Sequence, residues 1–93
     1  MPPPLSAAEQ AALAVIARRW LASPTASDSV EGIGRFWLGD PVFGALHAAR
    51  VLALLQAQGF VQAHTAADGR IAWWRNPQHS DNELLRWLDE VQL

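Results

Sequence analysis

Three histidines are the side chains in this sequence that are most able to bind a metal or carry a proton. His47, His64 and His79 lie far apart and fall in three different predicted elements, without the paired ligand spacing that is typical of zinc sites. Cysteine is absent, which excludes disulfides, thiolate ligands and thiol nucleophiles. The serines lie outside any nucleophile motif. We therefore expect no catalytic residue, no metal and no cofactor, and a protein that is not an enzyme.

All seven basic residues are arginines, whose planar guanidinium groups suit bidentate contacts to phosphate or guanine. A coding bias toward arginine explains the absence of lysine equally well. The formal net charge is -2, whereas a domain that relies on phosphate contacts usually carries a basic excess. Residues 41–79 nevertheless hold Arg50, Arg70 and Arg75 against Asp68 alone. Composition thus argues against non-specific nucleic-acid binding but leaves one locally positive region.

Length and composition predict one small domain. The chain has 93 residues, and 51% of them are apolar, which is enough for a compact core without a metal or a disulfide. Residues 1–5, which include three prolines, are predicted to be a disordered lead-in. The start lacks the basic residues and the long apolar run of a secretion signal, and no apolar segment is long enough to span a membrane. These features favour a cytoplasmic protein with no membrane contact.

Capping residues and apolar spacing predict the first helix. Ser6 with Glu9 is a capping box, in which each side chain accepts a hydrogen bond from the other residue's backbone N–H. The helix should end before Ser23-Pro24. Apolar residues at three- and four-residue spacing line its inner face: Leu13, Ile16, Ala17 and Trp20.

A second, short helix is predicted to begin at Asp28 and to end near Gly39. Asp28 with Glu31 has the spacing of another capping box. Gly32 and Gly34 each weaken a helix by roughly 1 kcal/mol relative to alanine. The prediction therefore requires a neighbouring backbone that packs closely against these glycines.

The third helix is predicted to run from Pro41 to about Gln58, because Asp40 can cap it and Gly59 can end it in a left-handed conformation. Its apolar residues are spread around nearly the whole circumference: Phe43, Leu46, Val51, Leu52, Leu54 and Leu55. A helix that is apolar on most sides needs burial on most sides. Either it is the central core helix with Phe43 in a turn, or part of it packs against the last helix, a second copy or another protein.

Two strands and a last helix follow. Residues 60–65 and 71–75 are predicted to form a hairpin with its turn at Asp68-Gly69. Residues 80–93 are predicted to form an amphipathic helix that packs on the domain or on a partner. Its apolar residues lie on one side: Leu84, Trp87, Leu88 and Val91.

Residues 26–75 resemble the winged helix-turn-helix family in the pattern that they share. The pattern is carried by Val51, Leu52, Leu55, Gly59-Phe60-Val61, Asp68-Gly69-Arg70 and the Trp-containing return strand. Residues 48–61 also look similar to the DNA-orienting end domain of septal DNA translocases. The resemblance implies a mostly α fold with a small β-hairpin (α+β), namely a winged-helix domain at residues 6–79 with an additional C-terminal helix.

The family resemblance also implies DNA binding, with the third helix in the major groove and the hairpin against the phosphate backbone or the minor groove. The residues placed for these contacts are His47 and Arg50 on the helix, Arg70 at the hairpin tip and Arg75 on the returning strand. Solvated surface charge is the alternative for the two hairpin arginines. The implied protein is a small dimeric transcriptional regulator on double-stranded DNA, with its terminal helices paired across a two-fold axis.

A protein–protein interaction module that does not bind nucleic acid is the alternative function, which charge and hydrophobicity favour. Trp73 and Trp74 are neighbours on a strand and project to opposite faces, so that one of them should face outward unless Trp87 covers it. An exposed tryptophan suits a pocket on a partner or stacking on a base. The predicted partner interface comprises Phe43, Trp73, Trp74, Leu84, Trp87, Leu88 and Val91.

Overall fold

The computed structural model describes residues 5–91. Four helices and a three-stranded antiparallel sheet form a compact α+β unit. The helices are α1 (Ala7–Ala22), α2 (Val30–Gly32, continued by a π-helical turn at Ile33–Trp37), α3 (Gly44–Ala57) and α4 (Asp81–Val91), and the strands are β1 (Ser27–Asp28), β2 (Val61–Thr65) and β3 (Ile71–Arg75). Across residues 5–91, no helix is long and apolar enough to cross a membrane. The predicted lead-in lies outside the described residues except for Leu5, which packs against the core.

α1 follows the predicted capping and spacing. The Ser6 hydroxyl accepts a hydrogen bond from the Glu9 N–H at 3.1 Å, and the Glu9 carboxylate accepts one from the Ser6 N–H at 2.8 Å. The helix ends at Ala22, before Ser23-Pro24. The predicted inner face is buried at each of its four residues: Leu13, Ile16, Ala17 and Trp20. The capping box and the buried face confirm the predicted helix.

β1 has no counterpart in the sequence prediction, which places a loop and a helix cap at its residues. β1 pairs with Trp73 and Trp74 of β3, so that the sheet order is β1-β3-β2. Because Asp28 belongs to the strand, Ser29 caps α2 instead, and its hydroxyl accepts a hydrogen bond from the Gly32 N–H at 3.1 Å. The predicted capping box at Asp28 is therefore wrong. The sequence does not reveal β1, because a two-residue strand is too short to show an alternating pattern.

The π-helical turn and the start of α3 meet at two glycines. Gly34 in the π-helical turn and Gly44 at the start of α3 are both buried. A Cβ on either glycine would lie 2.3 Å from backbone atoms of the other segment. The prediction that a neighbouring backbone packs against the second helix is thus confirmed at Gly34. Only a residue without a side chain permits this approach.

α3 begins later than predicted, at Gly44. The Asp40 carboxylate accepts hydrogen bonds from the N–H groups of Val42 at 3.0 Å and Phe43 at 2.9 Å, and these bonds hold the preceding residues in a turn. Leu46 remains 68% exposed. The buried face of the helix is formed by Ala48, Val51, Leu52 and Leu55. α3 is therefore a core helix with Phe43 in a turn, but its outer surface keeps exposed apolar residues.

The predicted hairpin is confirmed. Gly59, with φ of 82°, ends α3, and Gly69, with φ of 86°, lies in the turn between β2 and β3. The strands are antiparallel, with Ala63 opposite Trp73. The buried amide of Asn76 donates a hydrogen bond to the Gly59 carbonyl at 2.9 Å. This bond ties the end of β3 to the end of α3.

α4 packs on the domain and completes the core. Leu84 and Leu88 are buried, and Val91 is partly buried against the same cluster. Trp87 lies against Phe60, with ring centroids 5.4 Å apart. This burial corrects the predicted partner interface, because Leu84 and Leu88 face the protein's own core. α4 is amphipathic, and its apolar face covers an apolar surface of the rest of the domain.

Candidate binding surface

A cleft lies between the outer surface of α3 and the hairpin. We name it the helix–hairpin cleft, and its volume is about 660 Å³. Its lining comes from the start of α2, from α3 and from the hairpin: Ser29, Val30, Glu31, Ala49, Ala53, Gly69, Arg70, Ile71 and Trp73. The family resemblance implies ligand contacts for the third helix and the hairpin, and this concave surface joins both elements.

The walls of the cleft are apolar. Ala49 and Ala53 are one turn apart on the same side of α3, and both are exposed. Ile71 and Trp73 are two residues apart on β3 and therefore project from the same face of the sheet. Ile71 is 49% exposed, whereas Trp73 packs partly against the core. These walls suit apolar side chains of a ligand better than a phosphate backbone.

Two charges of opposite sign lie in the lining. Glu31 is exposed near the start of α2, and Arg70 lies at the hairpin tip. The Arg70 side chain is 88% exposed, and its Nε lies 3.2 Å from the Asp68 carboxylate. The other carboxylate oxygen accepts a hydrogen bond from the Arg70 N–H at 3.1 Å. An exposed ion pair of this kind contributes about 0–1 kcal/mol, so an anionic group of a ligand can replace Asp68.

Arg50 on α3 is held by α1. Its Nε lies 3.1 Å from the Glu9 carboxylate, and the side chain is 45% exposed. Hydrogen bonds from the Ser6 backbone and hydroxyl, followed by the charges of Arg50 and His47, lower the pKa of Glu9. An ionised Glu9 therefore offsets the charge of the arginine that the family resemblance places against base edges.

His47 lies near two carboxylates, those of Glu9 and Asp40. The ring is half-buried. Hydrogen bonds from the N–H groups of Phe43 and Val42 are the main causes that lower the pKa of Asp40, and His47 adds a smaller effect. The two acids offset the positive charge that a protonated His47 would bring to α3.

Arg75 makes structural contacts, and most of its side chain is covered. Its side chain is 8% exposed, and its Nη2 lies 2.5 Å from the Asp81 carboxylate at the start of α4. Its Nη1 donates a hydrogen bond to the Trp20 carbonyl at 3.4 Å. Arg75 thus links β3 to α4 and α1. The predicted phosphate contact does not fit this position, because the side chain projects from the covered face of the sheet.

Trp74 is the tryptophan of the hairpin that faces outward. It is 40% exposed, and its ring centroid lies 6.4 Å from that of His64. Trp73 projects from the opposite face and packs against the core. The expectation that one of the two faces outward is confirmed. The expectation that Trp87 covers it is wrong, because Trp87 lies against Phe60.

A separate group of exposed apolar residues lies at the start of α3. Val42, Phe43 and Leu46 are all exposed and fall within about one helical turn. Phe36, in the π-helical turn, is also exposed. None of these four residues lines the helix–hairpin cleft. Phe43 is accessible to a partner, as the predicted interface requires.

Local contacts account for two of the histidines. The Nδ1 of His79 lies 2.7 Å from the Glu83 carboxylate one turn later, and this contact is the main cause that lowers the pKa of Glu83. His64 lies beside Trp74. In the part of the chain that the structure describes, no group of three or more histidine, aspartate or glutamate side chains could hold a metal ion.

The cleft contains few of the predicted site residues. Of the predicted site residues, which all lie within residues 5–91, Arg70 and Trp73 line it. Ala49, Ala53 and Ile71 also line it, and no sequence pattern marks them as binding residues. The signal of the two alanines is weak, because α3 holds five alanines and their spacing does not set Ala49 and Ala53 apart. No protein-family model, curated protein or solved structure matches this chain.

Proposed function

We propose that the protein is a protein–protein interaction module on a winged-helix scaffold and that the helix–hairpin cleft is its binding site. The order of three helices followed by a hairpin supports the scaffold. The observation that carries the proposed function is the apolar chemistry of the cleft walls, formed by Ala49, Ala53, Ile71 and Trp73. Concave apolar surfaces with a few polar groups in the lining are typical binding sites for apolar side chains.

One face of an amphipathic helix from a partner protein fits the cleft. Ala49 and Ala53 allow a second helix to approach α3 closely, because only methyl groups separate the two backbones. Ile71 and Trp73 then flank apolar side chains that recur at three- and four-residue spacing on the partner helix. Glu31 and Arg70 complement a basic and an acidic residue on the same helix.

Selection with a defined probe tests this function. A displayed library of amphipathic helical peptides is selected on the wild-type protein and counter-selected on Ala53→Glu, which places a charge in the cleft. We expect the enriched peptides to bind the wild type and to shift the backbone NMR signals of Val30, Ala49 and Ile71. In Ala53→Glu, a bound ligand would bury the new carboxylate without a partner, and this cost opposes binding.

Leu46→Glu is the matched control, because it adds the same charge to α3 at an exposed position outside the cleft. Peptide binding should survive Leu46→Glu and be lost in Ala53→Glu. Failure to enrich any peptide would refute the proposal. Shifted signals that map away from the cleft would refute it as well.

DNA binding by a small dimeric regulator is the second candidate, and the exposure of two arginines favours it. Arg70 projects from the hairpin tip, and Arg50 remains partly exposed on α3. An exposed ion pair contributes about 0–1 kcal/mol, so a phosphate could displace the carboxylate of Asp68 from Arg70. The net charge of -2 and the buried position of Arg75 weigh against this candidate.

Fluorescence anisotropy with a pool of random DNA duplexes at low salt distinguishes the two functions. DNA binding predicts an affinity that falls as salt rises. At a cognate site, Arg50→Ala should weaken binding by about 1–3 kcal/mol if the side chain reads a base. Arg70→Ala should weaken binding to all sequences by a similar factor. Unchanged anisotropy at low salt excludes DNA binding and leaves the peptide result unaffected.

A further inference from the structure

The free edge of β2 is an unpaired backbone surface. In the sheet order β1-β3-β2, β3 lies on one side of β2, and no strand of residues 5–91 lies on the other. Val61–Thr65 contains no proline, lysine, aspartate or glutamate. Such residues are the usual means of blocking edge-to-edge pairing. The edge is therefore open to a further strand at Ala63 and Thr65, which are exposed, whereas Val61 is 3% exposed.

Hydrogen bonds at both ends of the hairpin define its ladder. The Asn76 N–H donates to the Phe60 carbonyl at 2.9 Å, just before β2. The Ala66 N–H donates to the Arg70 carbonyl at 2.7 Å, just after β2. Hydrogen-bonded and non-hydrogen-bonded pairs alternate along an antiparallel ladder. The two end pairs are therefore hydrogen-bonded, and the residues between them alternate from that starting point.

This alternation identifies the backbone groups at the free edge. Gln62 and His64 form hydrogen-bonded pairs with β3, opposite Trp74 and Ala72. The other β2 residues direct both their N–H and their C=O groups away from β3: Val61, Ala63 and Thr65. The outward groups are evenly spaced and centred on Ala63.

We propose that a second copy of this chain pairs with this edge, with β2 antiparallel to β2 and a two-fold axis at Ala63. Ala63 then opposes Ala63 of the second copy, and Val61 opposes Thr65. The central pair exchanges both of its hydrogen bonds, because Ala63 is exposed and presents an N–H and a C=O to the edge. The flanking pairs also require the groups that cover Val61 to move aside. The same surface meets itself, as a closed two-fold interface requires.

The side chains beside the edge fit this pairing. On the outer face, Gln62 opposes His64 of the second copy, so that no like charges lie directly opposite each other. A cavity of about 520 Å³ runs along β2 and is lined in part by Gln56 and Gly59 at the end of α3. The central residue, Ala63, is small.

The edge replaces the dimer interface that the sequence suggests. That interface uses the apolar faces of the terminal helices, but Leu84 and Leu88 of α4 and Leu13 and Ile16 of α1 are buried in the protein's own core. Pairing through those faces would require the core to open. Pairing through β2 uses backbone N–H and C=O groups that face away from β3 in a single copy.

Sedimentation velocity over a concentration series tests the inference. Ala63→Pro removes the N–H at the centre of the interface, and it removes no hydrogen bond to β3, because that N–H points to the free edge. Ala63→Val keeps the N–H and is the matched control. We expect wild type and Ala63→Val to form a concentration-dependent species of twice the monomer mass, and Ala63→Pro to remain a monomer.

Hydrogen exchange on the wild type gives a readout that does not depend on a variant. The amides of Ala63 and Thr65 should exchange more slowly as protein concentration rises, whereas those of Gln62 and His64 should not change. A wild type that remains a monomer overturns the inference. So does a dimer that leaves the amides of Ala63 and Thr65 unprotected, or one that persists in a folded Ala63→Pro. Loss of peptide binding at the cleft does not affect these measurements.

Discussion

The Glu9 carboxylate joins two helices. One oxygen accepts the Ser6 N–H in the capping box of α1, and the other pairs with Arg50 on α3. The carboxylate therefore lies close to positive charge and to hydrogen-bond donors, both of which favour its ionised form. The same contacts hold Arg50 on the side of α3 that faces the start of α1.

Glu9→Gln should reduce the loss of stability in acid. The Ser6 N–H, followed by the Ser6 hydroxyl and Arg50, holds the pKa of Glu9 below its ordinary value of 4.5. A group whose pKa is lowered by folding stabilises the protein above its unfolded pKa, and this contribution is lost as pH falls through the folded value. In thermal melts, we expect the variant to have a lower Tm than the wild type near neutral pH and to converge with it below about pH 4.5.

Glu90→Gln is the control, because Glu90 is an exposed residue on α4. Its melting curves should follow those of the wild type at every pH. A constant difference in Tm between Glu9→Gln and the wild type, from neutral to acidic pH, would contradict the assignment. In that case, the ionised form of Glu9 would not contribute to stability.

Sequence spacing predicts one of the two roles of Glu9. The capping box is local, because Ser6 and Glu9 are three residues apart and the helix itself brings them together. The contact with Arg50 depends on how α1 packs on α3, which no local pattern specifies. For the same reason, the family resemblance assigns Arg50 and Arg75 to a ligand, whereas acids of two other helices, α1 and α4, pair with them.

At the scale of elements, two glycines set the distance between the π-helical turn and α3. Gly34→Ala should destabilise the protein, because the new Cβ would lie 2.3 Å from the backbone of Gly44 and Ala45. Neither backbone can move without displacing a helix. We expect a loss of about 1–3 kcal/mol in the free energy of unfolding, which urea titration measures.

Gly32→Ala is the matched control in the neighbouring turn. It makes the same gain in helix propensity, but its Cβ would meet the side chain of Asp28 rather than a backbone. A carboxylate can rotate away, so the loss should be smaller than for Gly34→Ala. Equal losses at the two positions would show that the close backbone approach is not the cause.

The elements differ in how far local sequence predicts them. α1, α3, α4 and the hairpin carry caps, turn glycines or repeated apolar spacing within their own segments. β1 has only two residues, and its pairing with Trp73 and Trp74 joins segments that are distant in sequence. Pairing of this kind depends on tertiary packing, and the sequence around β1 shows only a loop.

At the scale of the whole molecule, α4 closes the core on the side of α1 and the hairpin. Leu84→Ala should lower the free energy of unfolding by about 2–5 kcal/mol, because it removes a buried side chain and leaves a cavity. Leu85→Ala changes the next residue, which is exposed, and should stay within about 0.5 kcal/mol of the wild type. Urea titration of both variants measures the difference. Similar small effects at both positions would mean that α4 is not docked on the domain.

The helix–hairpin cleft and the free edge of β2 are separate surfaces of the same sheet. The cleft uses β3 side chains such as Ile71 and Trp73, whereas the edge uses backbone groups of β2. When the β2 strand of a second copy pairs with this edge, that strand therefore does not cover the residues that line the cleft. The two proposals can succeed or fail independently.

The amino-acid sequence by itself determined the α+β class, the ends of α1, the hairpin and its turn, and the amphipathic character of α4. Each of these depends on residues a few positions apart, so caps, glycines and apolar spacing are sufficient. Tertiary structure alone decided that Arg75 is buried beside Asp81, that α4 covers its own domain, and that Ala49 faces a cleft. These outcomes depend on which faces of different helices and strands meet, because tertiary packing decides which charges and apolar surfaces come together.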